Sequence, residues 1–186
     1  MELQPLLVLP LLAFVVLGAL FLIVLRRAGR FLAATRDVER FRRQIADLAA
    51  RSETSLAEIC ARVDSVRRGQ VAAPAVVDDI TASLEAVDKY AEEGRALHPP
   101  KDGGRIRDEI VAELERAKRA LEMIEHGVSI QAQARSGGRE IEAQTAIKRG
   151  YLNVLHAREA IARHAADAAT LVPADPSHQS PSSRSA

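Results

Sequence analysis

Hydrophobic positions in this chain follow two patterns, separated by the short stretch Arg26–Arg30. From Leu6 to Leu25 twenty consecutive residues carry no charge. From Phe31 onward the apolar or small positions recur in alternating steps of three and four: Phe31, Ala34, Val38, Phe41, Ile45, Leu48, then Ser52, Leu56, Ile59, Val63 and Val66. That alternation is the heptad seam of a helix packed on other helices. An extra four-residue step at Ser52 is a stutter, which locally unwinds a supercoil.

The uncharged run predicts one helix about 30 Å long, the thickness of a bilayer's hydrocarbon core. It is predicted to continue without a break to about Arg68, where Gly69 and the approach to Pro74 stop it. A second helix starts near Pro74, with Val77, Ile80, Leu84, Val87 and Ala91 on its stripe, and stops by Leu97. His98-Pro99-Pro100-Lys101-Asp102-Gly103-Gly104 is the strongest breaker in the chain. A third helix runs from about Arg105 with Ile106, Ile110, Leu114, Ala117, Leu121, Ile124 and Val128. After a turn at Ser136-Gly137-Gly138, a fourth covers about Arg139 to Ala169, with Ile141, Ile147, Tyr151, Leu152, Leu155 and Ile161.

Short turns set neighbouring helices antiparallel. A fold at 69–75 brings Val66 to Val77, Val63 to Ile80, Ile59 to Leu84 and Leu56 to Val87, apolar against apolar at each step. A fold at Gly137 brings Ala117 towards Ala157 and Leu121 towards Leu152 and Asn153. The expected fold is therefore all-α: a single N-terminal transmembrane helix continuing into a coiled-coil-like stalk and antiparallel helical hairpins, for which a four-helix bundle is one arrangement and separate hairpins the other. Its expected divisions are a short external N-terminus at 1–5, the span at 6–25, and a basic juxtamembrane stalk with the first cytoplasmic helix at 26–70. An antiparallel helical region at 71–171 and a disordered Pro/Ser-rich tail at 172–186 complete the chain.

Charge sharpens this division. Seven arginines fall between Arg26 and Arg43 against two acids, Asp37 and Glu39. The leader before the run has no basic residue, and no small-x-small cleavage site follows, so the run reads as a retained anchor rather than a signal peptide. Basic residues on the C-terminal flank alone orient the chain with its N-terminus outside and its helices in the cytoplasm, at the cell's inner membrane. Arg26, Arg27 and Arg30 lie close enough to the lipid surface to meet anionic headgroups. The plainer alternative is a topology signal followed by solvated helix charges.

Two readings cover the stalk's apolar residues Phe31, Val38, Phe41, Ile45 and Leu48. A second copy of the stalk would make them the seam of a parallel homodimer. Alternatively the segment lies flat on the membrane as a basic amphipathic helix.

Composition agrees with long helices. Alanine, leucine, arginine and glutamate dominate, and aromatics make up 3% of the chain. The excess of arginine over lysine, with so many alanines, fits a bacterial source. A single cysteine, Cys60, excludes an internal disulfide. The arginines lack the interleaved aromatics of a nucleic-acid module.

Nothing assembles into a catalytic centre. His126 and Glu122, and His156 and Glu159, are each one turn apart. The fold at Gly137 sets His126 opposite Lys148 and His156 opposite Lys118, so the two pairs stay apart and beside positive charge. No glycine-rich phosphate loop and no nucleophile with a base are present. No enzyme, cofactor or metal is expected.

An N-terminal anchor followed by long antiparallel helices is similar in ground plan to LemA-type proteins, stator-stalk b subunits of ATP synthase and chemoreceptors. The signatures of the first and the signalling tip of the last are absent here. A b subunit continues as one helix where this chain breaks at Pro99-Pro100 and Gly103-Gly104. The expected function is a membrane-anchored helical scaffold or adaptor acting through protein–protein contacts. A lipid-charge-sensitive signalling module and an accessory subunit of a larger envelope or transport complex are the alternatives.

Overall fold

The computed structural model describes residues 5–133 and 139–173, without side chains at 5–13, 30, 31 and 133. The expected turn at 136–138, residues 1–4 of the external N-terminus and the tail from 174 lie outside the described residues. The chain is all-α, with no strand among the described residues. Helix α1 is Pro5–Arg67, α2 Val77–Ala96, α3 Gly104–Gln133 and α4 Glu140–Ala169, with a 3-10 turn at Ala73–Val76 leading into α2.

The end of α1 is chemically specified. Gly69 adopts φ +70°, a conformation that a Cβ makes costly. Its N–H donates to the Val66 carbonyl at 2.9 Å, and the Gln70 N–H donates to the Ser65 carbonyl at 2.9 Å. This pair of bonds is the Schellman closure that satisfies the last carbonyls of a helix. Asp78 and Asp79 occupy the first turn of α2, and Glu140 and Glu142 that of α4, where the helix dipole favours negative charge.

Arg40–Leu171 forms one compact unit. It is an antiparallel four-helix bundle in which each helix packs on two others. Along the α1–α2 seam Arg51 meets Glu93, Ser55 meets Tyr90 and Arg62 meets Asp79, so numbers rise on one helix as they fall on the other. Arg95 to Glu115 and Asp88 to Lys118 give the same antiparallel order for α2 and α3. Glu109 facing His164, and Gly127 facing Ile147, give it for α3 and α4. Arg158 on Glu53, and Arg67 over the Tyr151 ring, close the circle between α4 and α1.

One hydrophobic core runs the length of the bundle. From Val38 to Val66 every seam position expected of α1 is buried, as are all seven stripe positions of α3. Ser52, at the stutter, is fully buried and donates its hydroxyl hydrogen to the Ala49 carbonyl at 3.0 Å. The helix's own backbone thus satisfies a polar group that would otherwise be costly there.

Helix α4 departs from expectation. Ile141 is 75% exposed and Leu152 43% exposed. The buried face of α4 is instead built on Ala143, Ile147, Gly150, Val154, Ala157, Ala160, Ile161 and Ala168. Ala143, Gly150 and Ala157 are seven residues apart, so one small residue faces α3 every two turns and the two backbones come close together. A Cβ built on Gly150 would lie 2.5 Å from Ile124 Cγ1 and 2.7 Å from the Ala120 carbonyl oxygen.

Candidate functional site

The part of α1 before the bundle carries its apolar side chains outward on every side. Phe14, Val15, Val16, Leu17, Leu20, Phe21, Leu22, Ile23, Val24 and Leu25 are between 51% and 79% exposed. Consecutive residues on a helix step by about 100°, so these ten surround the axis. Among the described residues no helix is long and apolar enough to cross a membrane. The described side chains of the uncharged run, 14–25, account for about 18 Å of helix.

The charge boundary follows at once. Arg26 and Arg27 are exposed, and the Arg30 side chain lies outside the described residues. Farther along, Arg36, Arg40 and Arg43 are exposed and Arg42 is half-buried. Arg42 donates from Nη2 to the Leu171 carbonyl, tying the start of the bundle's first helix to the end of α4.

The residues expected to form an oligomer seam divide differently. Phe31's side chain is outside the described residues. Val38 is buried, and Phe41, Ile45 and Leu48 are 1–2% exposed; these last three belong to the bundle's own core. Their cover comes from this same chain. The loop between α2 and α3 folds over Phe41, so a Cβ on Gly103 would lie 3.0 Å from Phe41 Cε1. Leu48 reaches Gly94 of α2, where a Cβ would lie 3.5 Å from its Cδ2. The expectation that a second copy or the membrane surface covers these residues is therefore corrected for Phe41, Ile45 and Leu48: the α2–α3 loop extends the bundle below the last turn of α2.

Two polar constellations lie in the bundle's seams. Cys60 is 6% exposed, and burial pushes its thiol above the ordinary range, partly offset by the neighbouring Arg158 guanidinium. Arg158 also donates from Nε to Glu53 Oε2 at 3.2 Å, and that carboxylate holds the guanidinium's proton more tightly than usual. In the α3–α4 seam His164 Nδ1 lies 3.2 Å from Glu109 Oε2, and Glu109 also pairs with Arg105 at 2.7 Å. The sequence placed neither group, because each joins residues far apart in the chain on different helices. His98, His126 and His156 are exposed. Among the described residues no group of three His, Cys, Asp or Glu side chains is placed to hold a metal ion.

Shallow grooves run between the helices. One of about 200 Å³ lies between α1 and α2, lined by Ser55, Glu58, Ile59, Arg62, Asp79 and Ser83 among others. Another of about 390 Å³ lies where α1 ends and α4 begins, lined by Val66, Arg67, Gln131, Glu140, Gln144 and Lys148 among others. Both mix charges of opposite sign with small apolar floors, and neither converges polar groups on one point.

These features define a class: an antiparallel four-helix bundle whose first helix begins as an uncharged segment and passes through an arginine-rich junction. No family model, curated protein or solved structure matches the chain.

Proposed function

We propose that the chain is a single-pass membrane protein, anchored by Leu6–Leu25 with its N-terminus outside. In this reading the bundle works at the cytoplasmic face as a scaffold or adaptor, through protein–protein contact rather than catalysis. One observation carries the anchor: the exposed apolar residues 14–25 surround α1. Leaving them in water would forgo on the order of ten kcal/mol or more of burial. A partner helix covers one face of such a segment, whereas a bilayer covers all of them. The arginines on the C-terminal flank alone set the orientation.

The bundle fits an adaptor because its charged side chains sit along the seams and on the outer faces of rigid helices. A tether to the membrane raises the bundle's effective concentration for any partner in or beneath the same leaflet.

The test uses the tagged full-length chain in its native membranes, washed with alkaline carbonate and then cross-linked. Retention after the wash together with one dominant foreign protein supports the anchored adaptor. A ladder of the chain alone makes it a self-assembling scaffold. Release by the wash refutes the anchor. Sidedness is read from Ser129→Cys in a Cys60→Ala background, because Ser129 is exposed while Cys60 is buried. Labelling of that cysteine by an impermeant reagent in intact cells refutes the orientation.

A further inference from the structure

We infer that the junction Arg26, Arg27 and Arg30 is a binding collar for anionic phospholipid headgroups, a reading that rests on the anchor proposed above. The first argument is charge segregation. The whole chain carries a net charge of +1, whereas Arg26–Arg43 holds seven arginines and two acids, a net +5, which leaves the remainder at −4. In that remainder basic side chains repeatedly meet carboxylates across or along the helices: Arg51 with Glu93, Arg95 with Glu115, Lys118 with Asp88, Arg158 with Glu53.

The second argument is position. α1 is helical through the junction, so Arg26 to Arg30 fall within about 8 Å beyond Leu25. That is about one Debye length at physiological ionic strength. Arg36 to Arg43 lie about 16–27 Å beyond Leu25 along the helix, outside that range if α1 leaves along the membrane normal. Arg26 and Arg27 are exposed to whatever surrounds the helix at that level.

A headgroup phosphate there meets guanidinium groups that can donate two hydrogen bonds at once. An anionic lipid adds a net charge that a zwitterionic one lacks. Each arginine near such a surface is worth up to about a five-fold preference.

The experiment places full-length protein, made cell-free, into bilayers of phosphatidylcholine containing trace spin-labelled lipid. The spectrum gives the fraction of label immobilised against the protein, for phosphatidylglycerol and phosphatidylcholine in turn. The collar predicts a two- to five-fold preference for phosphatidylglycerol at low salt, falling towards one in 1 M salt. Arg26→Gln/Arg27→Gln/Arg30→Gln abolishes the preference, and the three-lysine variant retains most of it. Arg36→Gln/Arg40→Gln/Arg43→Gln leaves it intact. Immobilised lipid with no preference between the two headgroups overturns the collar while leaving the anchor standing. A preference lost only in the outer variant also overturns it. No immobilised lipid of either kind means that the chain does not insert, which overturns the anchor and the collar with it.

Discussion

Gly150→Ala adds one methyl group on the face of α4 that lies against Ala120 and Ile124 of α3. The new carbon would sit 2.5 Å from Ile124 Cγ1, 2.7 Å from the Ala120 carbonyl oxygen and 3.2 Å from the Ile124 nitrogen. A side chain can rotate away, but a helix backbone atom moves only with its helix. Relief therefore requires α3 and α4 to separate along the seam where Ala143 also lies against Gly127. Overpacking of this kind costs about 1–3 kcal/mol, and the rigid neighbours put this site at the upper end. Against it stands the helix propensity of alanine over glycine, about 1 kcal/mol in favour of the variant. The net expectation is a loss of about 2 kcal/mol, a fall of about 8 °C in Tm for a bundle of this length. Cys60 supplies the assay. It is buried in the wild-type bundle, so a thiol-reactive dye added to the full-length protein in mild detergent reports the bundle's opening during a thermal ramp. Gly104→Ala is the control, since nothing lies within 4 Å of its Cβ position, and it should stay within about 0.5 kcal/mol of wild type. If Gly150→Ala melts at or above the wild-type temperature, α3 and α4 are not in the close contact described here.

Four further outcomes are expected. Phe41→Ala should cost the bundle about 3–5 kcal/mol with no change in oligomeric state by light scattering; dissociation of a dimer with unchanged bundle stability would restore the two-copy seam. Folded Cys60 should react with iodoacetamide at pH 8 far more slowly than a free thiol, since it is buried and its pKa is raised chiefly by that burial; labelling at the free-thiol rate would contradict its placement. Lys118 holds the Asp88 carboxyl below its ordinary range, and Arg51 does the same for Glu93. Such depressed groups contribute stability above their unfolded values and lose it as pH falls through the folded ones, so Tm should be flat from pH 7 to about 5 and drop below about 4.5, less steeply in high salt because both groups are exposed. Asp88→Asn with Glu93→Gln should flatten that acid slope, and an identical slope in wild type and variant would remove these pairs as its cause. Arg158→Ala should cost about 1 kcal/mol through loss of the Glu53 pair, read from the same thiol-exposure melt, and no change would mark the pair as ornamental to stability.

Where the apolar side chains are large, the fold is legible in the sequence. Val38, Phe41, Ile45, Leu48, Leu56, Ile59, Val63 and Val66 mark α1's inner face by size alone, and every one is buried. Gly69 and the Pro99–Gly104 breaker end helices for reasons local to the backbone, so their positions could be read without knowing the partner helices. α4 was harder to read because its inner face is made of alanines and a glycine. A stripe of large residues through Ile141 and Leu152 looks like the buried one, yet α3 approaches on the side where side chains are smallest. Close backbone approach favours the face with least volume, and hydrophobicity ranking does not register volume complementarity between two helices.

Phe41 shows the other way in which a one-dimensional reading falls short. Helix α2 ends at Ala96, so a hairpin drawn from helix lengths leaves α1 below Leu48 without a neighbour. The loop that follows looks like mere punctuation, being rich in proline and glycine. In the folded chain Gly103 donates to the Pro100 carbonyl at 2.9 Å, and this turn rests on the Phe41 ring. The same residues that stop two helices cover the core between them. That extends the bundle along α1 as far as Phe41. It also removes the need for a second copy to shield Phe41, Ile45 and Leu48. Among the described side chains of α1, the large apolar ones left exposed lie within 14–25, with Leu32 just beyond the first arginines. The exposed apolar surface of α1 thus lies outside the Arg40–Leu171 bundle, on the N-terminal side of Phe41.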